Sequence, residues 1–243
     1  MTIGAMPLIM KELTEDQEDK INFKMREGGR TTTPTMDDVA INQTYAHALA
    51  RFFVRPLIGT WVRPNHLTVL RLIVGLAACA LLAVGSRTTA AWSGVLWIVT
   101  CMLDRADGEL ARLGDLRSES GKVLDYYSDM ILDALWFLGA GLGLRHGWLG
   151  DIAVPLGLLT GGSMLLCIWY AEMFERLSGP GIKAWTGIQR FHPDDALFLL
   201  APLTWLDWLA PILVASSICT PIIAILFMAR YVALKRRTTA AQE

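Results

Sequence analysis

The chain has 243 residues, of which 53% are apolar and 19% are charged. Soluble domains of this length are usually less apolar and more charged, so the composition favours a membrane protein. The formal net charge of −1 gives no sign of a preference for polyanions, and no nucleic-acid partner is expected.

The first 62 residues contain two segments of different character. Residues 1–36 are rich in Glu, Lys, Thr and Asp, which predicts a polar and mostly disordered tail. Residues 37–62 place apolar side chains, among them Ile41, Tyr45 and Leu49, near one helical face. This pattern predicts an amphipathic juxtamembrane helix that lies at the membrane interface.

Residues 63–237 are predicted to form a six-helix transmembrane catalytic domain, followed by a tail of residues 238–243. About 20 apolar residues cross a bilayer as a helix, and six stretches are close to this length. The predicted spans are residues 66–85, 90–112, 121–144, 151–174, 193–209 and 211–234. The predicted fold is therefore an all-α polytopic membrane protein.

Lys and Arg are distributed unevenly among the predicted loops. Eight precede the first span, whereas the opposite side of the membrane carries Arg87 and Arg145. Cytoplasmic loops carry an excess of basic residues. We therefore expect an integral protein of the cytoplasmic (inner) membrane, with both termini and the acidic segment described next facing the cytoplasm.

Four aspartates lie around the junction of the second and third predicted spans. Asp104 and Asp107 are three residues apart, and Asp125 and Asp129 are four apart, so each pair lies on one helical face. A turn containing Gly114 would bring the two faces together. Four close carboxylates need a nearby positive charge, which predicts Mg²⁺, or Mn²⁺, bound by oxygen ligands.

Small and basic residues lie on the same two faces. Gly108, Ala111 and Gly121 leave space for a large ligand against the backbone, and Arg112 can contact a phosphate. Together with a metal, these residues indicate a diphosphate substrate and transfer of a phosphoryl group.

The acidic segment resembles the signature of the CDP-alcohol phosphotransferases, also called CDP-alcohol phosphatidyltransferases. That signature reads Asp-x-x-Asp-Gly-x-x-Ala-Arg, eight residues, then Gly-x-x-x-Asp-x-x-x-Asp. The matching residues here are Asp104, Asp107, Gly108, Ala111, Arg112, Gly121, Asp125 and Asp129. The segment RPNHLTVLR resembles the Pro-Asn-x-x-Thr segment of many members, and the resemblance covers about residues 40–235.

The resemblance implies a mechanism. Asp104, Asp107 and Asp125 would bind metal, and Asp129 would share a metal and act as the general base toward an acceptor hydroxyl. That oxygen would attack the β-phosphorus of a CDP-alcohol, and CMP would leave. The implied nucleotide and substrate contacts are Asn65, Thr68, Gly108, Ala111, Arg112, Ser118 and Gly121. For the first two, helix capping is the alternative. A homodimer in the lipid bilayer is also implied.

The acceptor alcohol is not specified by the signature. The expected donor is CDP-diacylglycerol, and the expected acceptor is polar or phosphorylated. Arg176, Lys183 and Arg190 are candidates for an acceptor pocket, unless they only follow the positive-inside distribution. His192 is either an acceptor contact or a surface residue. Glu109 either influences acceptor choice or faces solvent.

Other functions fit parts of the pattern. A membrane prenyltransferase also uses Mg²⁺ and a diphosphate, but it does not require the spacing found here. A member of the same family could instead use a soluble CDP-alcohol and a polar acceptor. A divalent-cation transporter would place acidic residues deep in several spans, and a scaffold gives no reason for eight residues at fixed spacing.

Overall fold

A computed structural model describes residues 45–179 and 196–240, and all regular secondary structure in these ranges is helical. Short 3-10 turns cover Arg55–Leu57 and Gly150–Ile152. The α-helices are α1 (Tyr45–Val54), α2 (Pro64–Val84), α3 (Arg87–Leu113), α4 (Glu119–Leu144), α5 (Ala153–Ser178), α6 (Ala196–Trp205) and α7 (Leu209–Ala240). The prediction of an all-α protein is confirmed for this part of the chain.

Local sequence signals explain where the first long helices begin and end. Pro64 is the first residue of α2, where its missing N–H needs no partner. Gly85 ends α2 in a left-handed conformation with a φ of 81°. The Oγ atoms of Ser86 and Ser118 cap α3 and α4, each accepting the backbone N–H three residues later at 3.1 Å. Both connections are short, so α2 and α3 form an antiparallel pair, whereas α3 and α4 have few direct contacts with each other and both pack against α2.

Helix α2 packs against both α3 and α4, and its contact with α4 is unusually close. A Cβ on Gly139 would lie 2.7 Å from the carbonyl oxygen of Cys79, and one on Gly143 would lie 2.2 Å from that of Leu82. Only glycine fits at these distances, so the two backbones contact each other directly. This packing fixes the position of α2 relative to the hairpin of α3 and α4.

The main apolar core contains buried residues of α2, α3, α4 and α6 and of the first turns of α5 and α7. Trp97 and Trp136 are 2% and 1% exposed, and their ring centroids are 5.8 Å apart. The indole N–H of Trp97 donates to the carbonyl oxygen of Leu197 at 3.1 Å, which links α3 to α6. The core therefore holds α3 and α4 against α2 and α6.

Among the described residues, three helical segments are long and apolar enough to cross a bilayer: Pro64–Val84, Gly150–Ser178 and Leu209–Thr239. Helices α3 and α4 have 27 and 26 residues, but they carry the charged residues of the signature. Helix α6 has 10 residues, or about 15 Å of helix. These lengths support an integral membrane protein, whereas the count of six spans stays a prediction.

Two helix boundaries differ from the predicted ones. The juxtamembrane helix predicted over residues 37–62 ends at Val54, because Pro56 disfavours α-helix in the residue before it. Its residues 37–44, like the predicted tail of residues 1–36, lie outside the described ranges. At the other end, α7 continues to Ala240, into the predicted tail. Its last turns contain Lys and Arg, which are good helix formers despite their polarity.

Candidate active site

The two aspartate pairs meet at the adjoining ends of α3 and α4. Carboxylate oxygens of Asp104, Asp107 and Asp125 all lie within 4.8 Å of one another. Oxygen ligands on opposite sides of Mg²⁺ or Ca²⁺ are about 4–5 Å apart, given metal–oxygen distances of about 2.0–2.5 Å. These three side chains therefore have the chemistry and the spacing needed to bind a divalent cation.

A threonine from α2 orients the most buried of these carboxylates. Asp107 is 5% exposed, and its Oδ2 accepts a hydrogen bond from the Thr68 hydroxyl at 2.8 Å. Arg63 occupies the N-cap position of α2, so neither Thr68 nor Asn65 has the capping role considered above. Thr68 is therefore a partner of the aspartate cluster as well as a residue of the adjoining cleft.

Arg71 of α2 belongs to the site, although the sequence analysis did not assign it a role. Its side chain is 1% exposed and forms ion pairs with Asp104, with Asp125 Oδ1 at 3.0 Å and with Asp129 Oδ1 at 3.2 Å. Its Nη2 also donates to the backbone oxygen of Asp125 at 3.1 Å. Buried carboxylates need a nearby positive charge, and α2 supplies one here. An arginine inside an apolar span was the available signal.

Asp129 differs from the other aspartates in its accessibility. Its side chain is 51% exposed, compared with 45% for Asp125 and 24% for Asp104. It lies outside the set of three mutually close carboxylates, and Arg71 contacts its Oδ1. A general base must reach a proton on the substrate, so an accessible carboxylate beside the cluster suits that role.

A cleft of about 320 Å³ adjoins the aspartate cluster, between the ends of α2, α3 and α4. Asp107 and Asp125 form part of its wall, and Arg117 and Lys122 add positive charge that the sequence analysis did not assign. The seven predicted substrate contacts all line it: Asn65 and Thr68 from α2, Gly108, Ala111 and Arg112 from α3, and Ser118 and Gly121 from the start of α4. The cleft therefore combines carboxylates with basic side chains, as a metal-bound phosphate requires.

The two glycines that line the cleft, Gly108 and Gly121, differ in what a larger side chain would meet. A Cβ on Gly121 would lie 2.9 Å from both Asn65 Oδ1 and Ser118 Oγ, so the protein itself leaves no room for a side chain there. A Cβ on Gly108 would meet only Arg112 Nη2, at 3.4 Å. The space beside Gly108 therefore belongs to the cleft, while Gly121 permits close packing of the cleft wall.

Glu109 is buried, so its predicted solvent-facing alternative is wrong. Its side chain is 2% exposed and pairs with Arg51 of α1 and Arg112 of α3. The reason is that α1 packs over this part of α3 and covers it.

The sequence model of the CDP-alcohol phosphatidyltransferase family matches residues 61–215, which include all of the cleft and cluster residues described above. The chain belongs to the CDP-alcohol phosphatidyltransferase family. The predicted family is thereby confirmed, and it is a family of transferases of phosphate-containing groups.

One curated protein and one solved structure are similar to this chain. The chain is 27% identical over 179 residues to the bifunctional IPC transferase and DIPP synthase of Aquifex aeolicus (strain VF5), across 71% of the chain. It spans only 40% of that relative's length. The fold is similar to that of the Mycobacterium tuberculosis phosphatidylinositol phosphate synthase, solved with CDP-DAG bound. That match has a TM-score of 0.53 and 18% identity, and covers 79% of this chain and 92% of that one.

Of the residues predicted to contact the acceptor, the structure describes only Arg176. Arg176 lies at the end of α5, is 67% exposed and pairs with Glu172 Oε1 at 2.7 Å. It does not line the cleft beside the aspartates. Lys183, Arg190 and His192 lie outside the described residues.

Proposed function

We propose that this protein transfers the phosphatidyl group of CDP-diacylglycerol to the hydroxyl of a polar or phosphorylated acceptor, with release of CMP, in phospholipid biosynthesis. The observation that carries the proposal is the aspartate cluster opening onto a cleft that contains Arg112, Arg117 and Lys122. The CDP-DAG bound to the Mycobacterium tuberculosis synthase and the apolar helices of this chain support a lipid donor.

We propose Mg²⁺ as the cofactor, with Mn²⁺ as a substitute, held by Asp104, Asp107 and Asp125 and shared with Asp129. When bound, it would offset the charge of the donor diphosphate and of the departing CMP. Thr68 keeps Asp107 in a fixed orientation through its 2.8 Å hydrogen bond. The guanidinium of Arg112 binds a phosphate oxygen of the donor, and Asn65, Ser118 and Gly121 shape the neighbouring wall.

The reaction requires one proton transfer and one displacement at phosphorus. Asp129 accepts the proton of the acceptor hydroxyl, and the acceptor oxygen forms a bond to the β-phosphorus. The bond from that phosphorus to the bridging oxygen breaks, and CMP leaves with the bonding electrons. Asp129 is accessible and does not line the donor cleft, so the acceptor can approach it from outside that cleft.

The remaining parts of the proposal concern the acceptor and the setting in the membrane. Arg176, Lys183 and Arg190 are proposed to attract a phosphorylated acceptor, and the exposure of Arg176 makes it accessible to one. We also propose a homodimer in the inner membrane with the active site on the cytoplasmic side. A prenyl diphosphate donor is not favoured, because the family match covers the whole cleft.

The test is an assay of CMP release by the purified protein in detergent. CDP-diacylglycerol and soluble CDP-alcohols serve as donors, and glycerol 3-phosphate, inositol phosphate, inositol, serine and diacylglycerol serve as acceptors. CMP is expected with CDP-diacylglycerol and one polar acceptor, only when Mg²⁺ is present. Release of CMP from a soluble CDP-alcohol alone would overturn the lipid donor, and no release from any donor would overturn the reaction.

A further inference from the structure

Glu109 is a buried acid whose two carboxylate oxygens contact arginines from different helices. Its side chain is 2% exposed. Its Oε2 accepts a hydrogen bond from Arg51 Nε at 2.9 Å, and its Oε1 lies 3.0 Å from Arg112 Nη2. Hydrogen bonds between ionised groups are among the strongest in proteins, so this trio holds a defined geometry.

Arg112 is the member of the trio that lines the cleft. A free arginine side chain has several rotatable bonds, and ordering it upon phosphate binding lowers affinity. Glu109 lies one helical turn before Arg112 on the same face of α3, so it can hold the guanidinium before the substrate arrives. The donor then meets an arginine that is already in place.

Arg51 connects this pair to α1, which packs against α3. Ala50 and Val54 of α1 are each 1% exposed, whereas Phe52 and Phe53 are 70% and 59% exposed. Helix α1 therefore has one face against the protein and one apolar face turned outward. The Arg51 side chain is 27% exposed and reaches from this helix to the buried carboxylate.

We propose that Glu109 is a positioning residue that holds Arg112 in place for the phosphate of the CDP-linked donor. Because Arg51 links Glu109 to α1, the affinity for the donor then depends on the packing of α1 against α3. This inference rests on the proposed function, because it assigns Arg112 to the donor phosphate. Glu109 itself does not touch the substrate. Its effect is expected in the donor affinity, while the chemical step stays nearly unchanged.

The Glu109→Gln variant separates positioning from a simple charge effect. Removing a negative charge beside a basic cleft raises the attraction for a phosphate, so a charge effect alone predicts tighter donor binding. Loss of positioning predicts the opposite. We expect the KM for CDP-diacylglycerol and the Kd for CMP to rise about tenfold, with kcat changed less than about twofold. Unchanged or tighter binding would overturn the proposal.

Glu119→Gln is the matched control. Glu119 accepts from Lys122, another basic residue that lines the cleft, at 2.7 Å, but its side chain is 87% exposed. The same chemical change at this exposed pair is expected to leave CMP affinity unchanged or slightly higher. An equal loss of affinity in both variants would contradict a specific role for Glu109.

A second comparison shows whether Glu109 acts through Arg112. In an Arg112→Lys background, Glu109→Gln is expected to add almost nothing to the loss of CMP affinity. Additive losses would overturn the proposal. Where Glu109→Gln fails to fold, Arg51→Ala and Arg51→Lys decide instead: the alanine variant is expected to weaken CMP binding severalfold, and the lysine variant to restore part of it. Equal affinity in parent and Arg51→Ala would contradict the link to α1.

The failure of this inference is distinguishable from the failure of the proposed function. If the parent protein releases CMP from CDP-diacylglycerol but Glu109→Gln retains the parent's KM and Kd, only the positioning role is wrong. If the parent protein binds no CMP and releases none from any donor, the proposed function and the inference are both wrong.

Discussion

The hairpin of α3 and α4 and the neighbouring helix α2 contribute to the site in different ways. The hairpin supplies four aspartates at helical spacing, and a serine cap and a short turn set their positions. Helix α2 supplies Thr68 and Arg71, which contact those aspartates from outside the hairpin. This difference shows that the spacing within α3 and α4 determines which carboxylates share a helical face. Packing against α2 determines how those carboxylates are oriented and which positive charge offsets theirs.

The largest effect is expected for the base on the hairpin. Asp129→Asn removes the group that accepts the proton, and kcat for CMP release should fall by about 10²–10⁴-fold. The affinity for CMP should change little, because the two side chains have the same shape. Asp151→Asn, at an exposed acid before α5, is the control and should keep the parent's kcat. A near-normal kcat in Asp129→Asn would remove Asp129 as the base.

The next effect concerns the contribution of α2. Arg71→Gln removes the arginine that Asp104, Asp125 and Asp129 share, although Asp104 keeps its ion pair with Arg105. Removing one partner of a fully buried ion pair costs about 3–5 kcal/mol, and the partial exposure of the aspartates makes this an upper bound. The midpoint of thermal unfolding in EDTA should therefore fall sharply. Mg²⁺ should recover more stability in the variant than in the parent, because a cation then replaces the missing charge.

The control for Arg71 is Arg87→Gln, which breaks an ion pair with Asp207 between side chains that are 83% and 68% exposed. Such exposed pairs contribute about 0–1 kcal/mol, so its unfolding midpoint should stay close to that of the parent. Similar midpoints for all three proteins in EDTA would show that α2 does not balance the charge of the cluster.

A smaller effect separates the two glycines of the cleft. Gly108→Ala should fold normally, because the added Cβ meets only Arg112 at 3.4 Å, but it should raise the Kd for CMP. Gly121→Ala should instead lower stability, by about 1–3 kcal/mol, because Asn65 and Ser118 must move. Thermal unfolding and CMP titration on both variants check this contrast. Lower stability in Gly108→Ala and weaker CMP binding in a stable Gly121→Ala would contradict the conclusion that the space beside Gly108 belongs to the cleft.

The smallest effects concern the basic residues around the site. Arg117→Gln should raise the KM for the donor severalfold, since Arg117 lines the cleft. Arg176→Gln should raise only the KM for a phosphorylated acceptor, by about twofold to threefold, because an exposed charge interacts weakly. Initial rates measured against each substrate in turn distinguish the two, and a donor effect at Arg176 would contradict its assignment.

The sequence was sufficient for the groups that follow a helical period and insufficient for those that depend on tertiary packing. The spacing of Asp104 and Asp107, and of Asp125 and Asp129, predicted two faces that meet across a turn. Arg71 was missed because nothing in its own segment shows that α4 approaches α2 closely enough to contact it. That approach depends on glycines far along α4, which pack against the α2 backbone.

Glu109 illustrates the same limit at closer range. Considered within its own segment, an acidic residue near the end of a helix is predicted to face solvent. Glu109 is buried because α1 packs on α3. This packing brings Arg51 into contact with Glu109, which is 58 positions away in the sequence. The predicted boundaries at residues 62 and 237 were also wrong, because Pro56 ends α1 early and the Lys and Arg residues late in α7 continue that helix to Ala240.

The most direct test of the central claim is CMP release from CDP-diacylglycerol by the parent protein and Asp129→Asn, each with Mg²⁺ and with EDTA. Release by the parent in Mg²⁺ alone, with the variant slower by about 10²-fold or more at unchanged CMP affinity, is the predicted result. Equal release with EDTA, or by the variant, would contradict a reaction performed at the aspartate cluster.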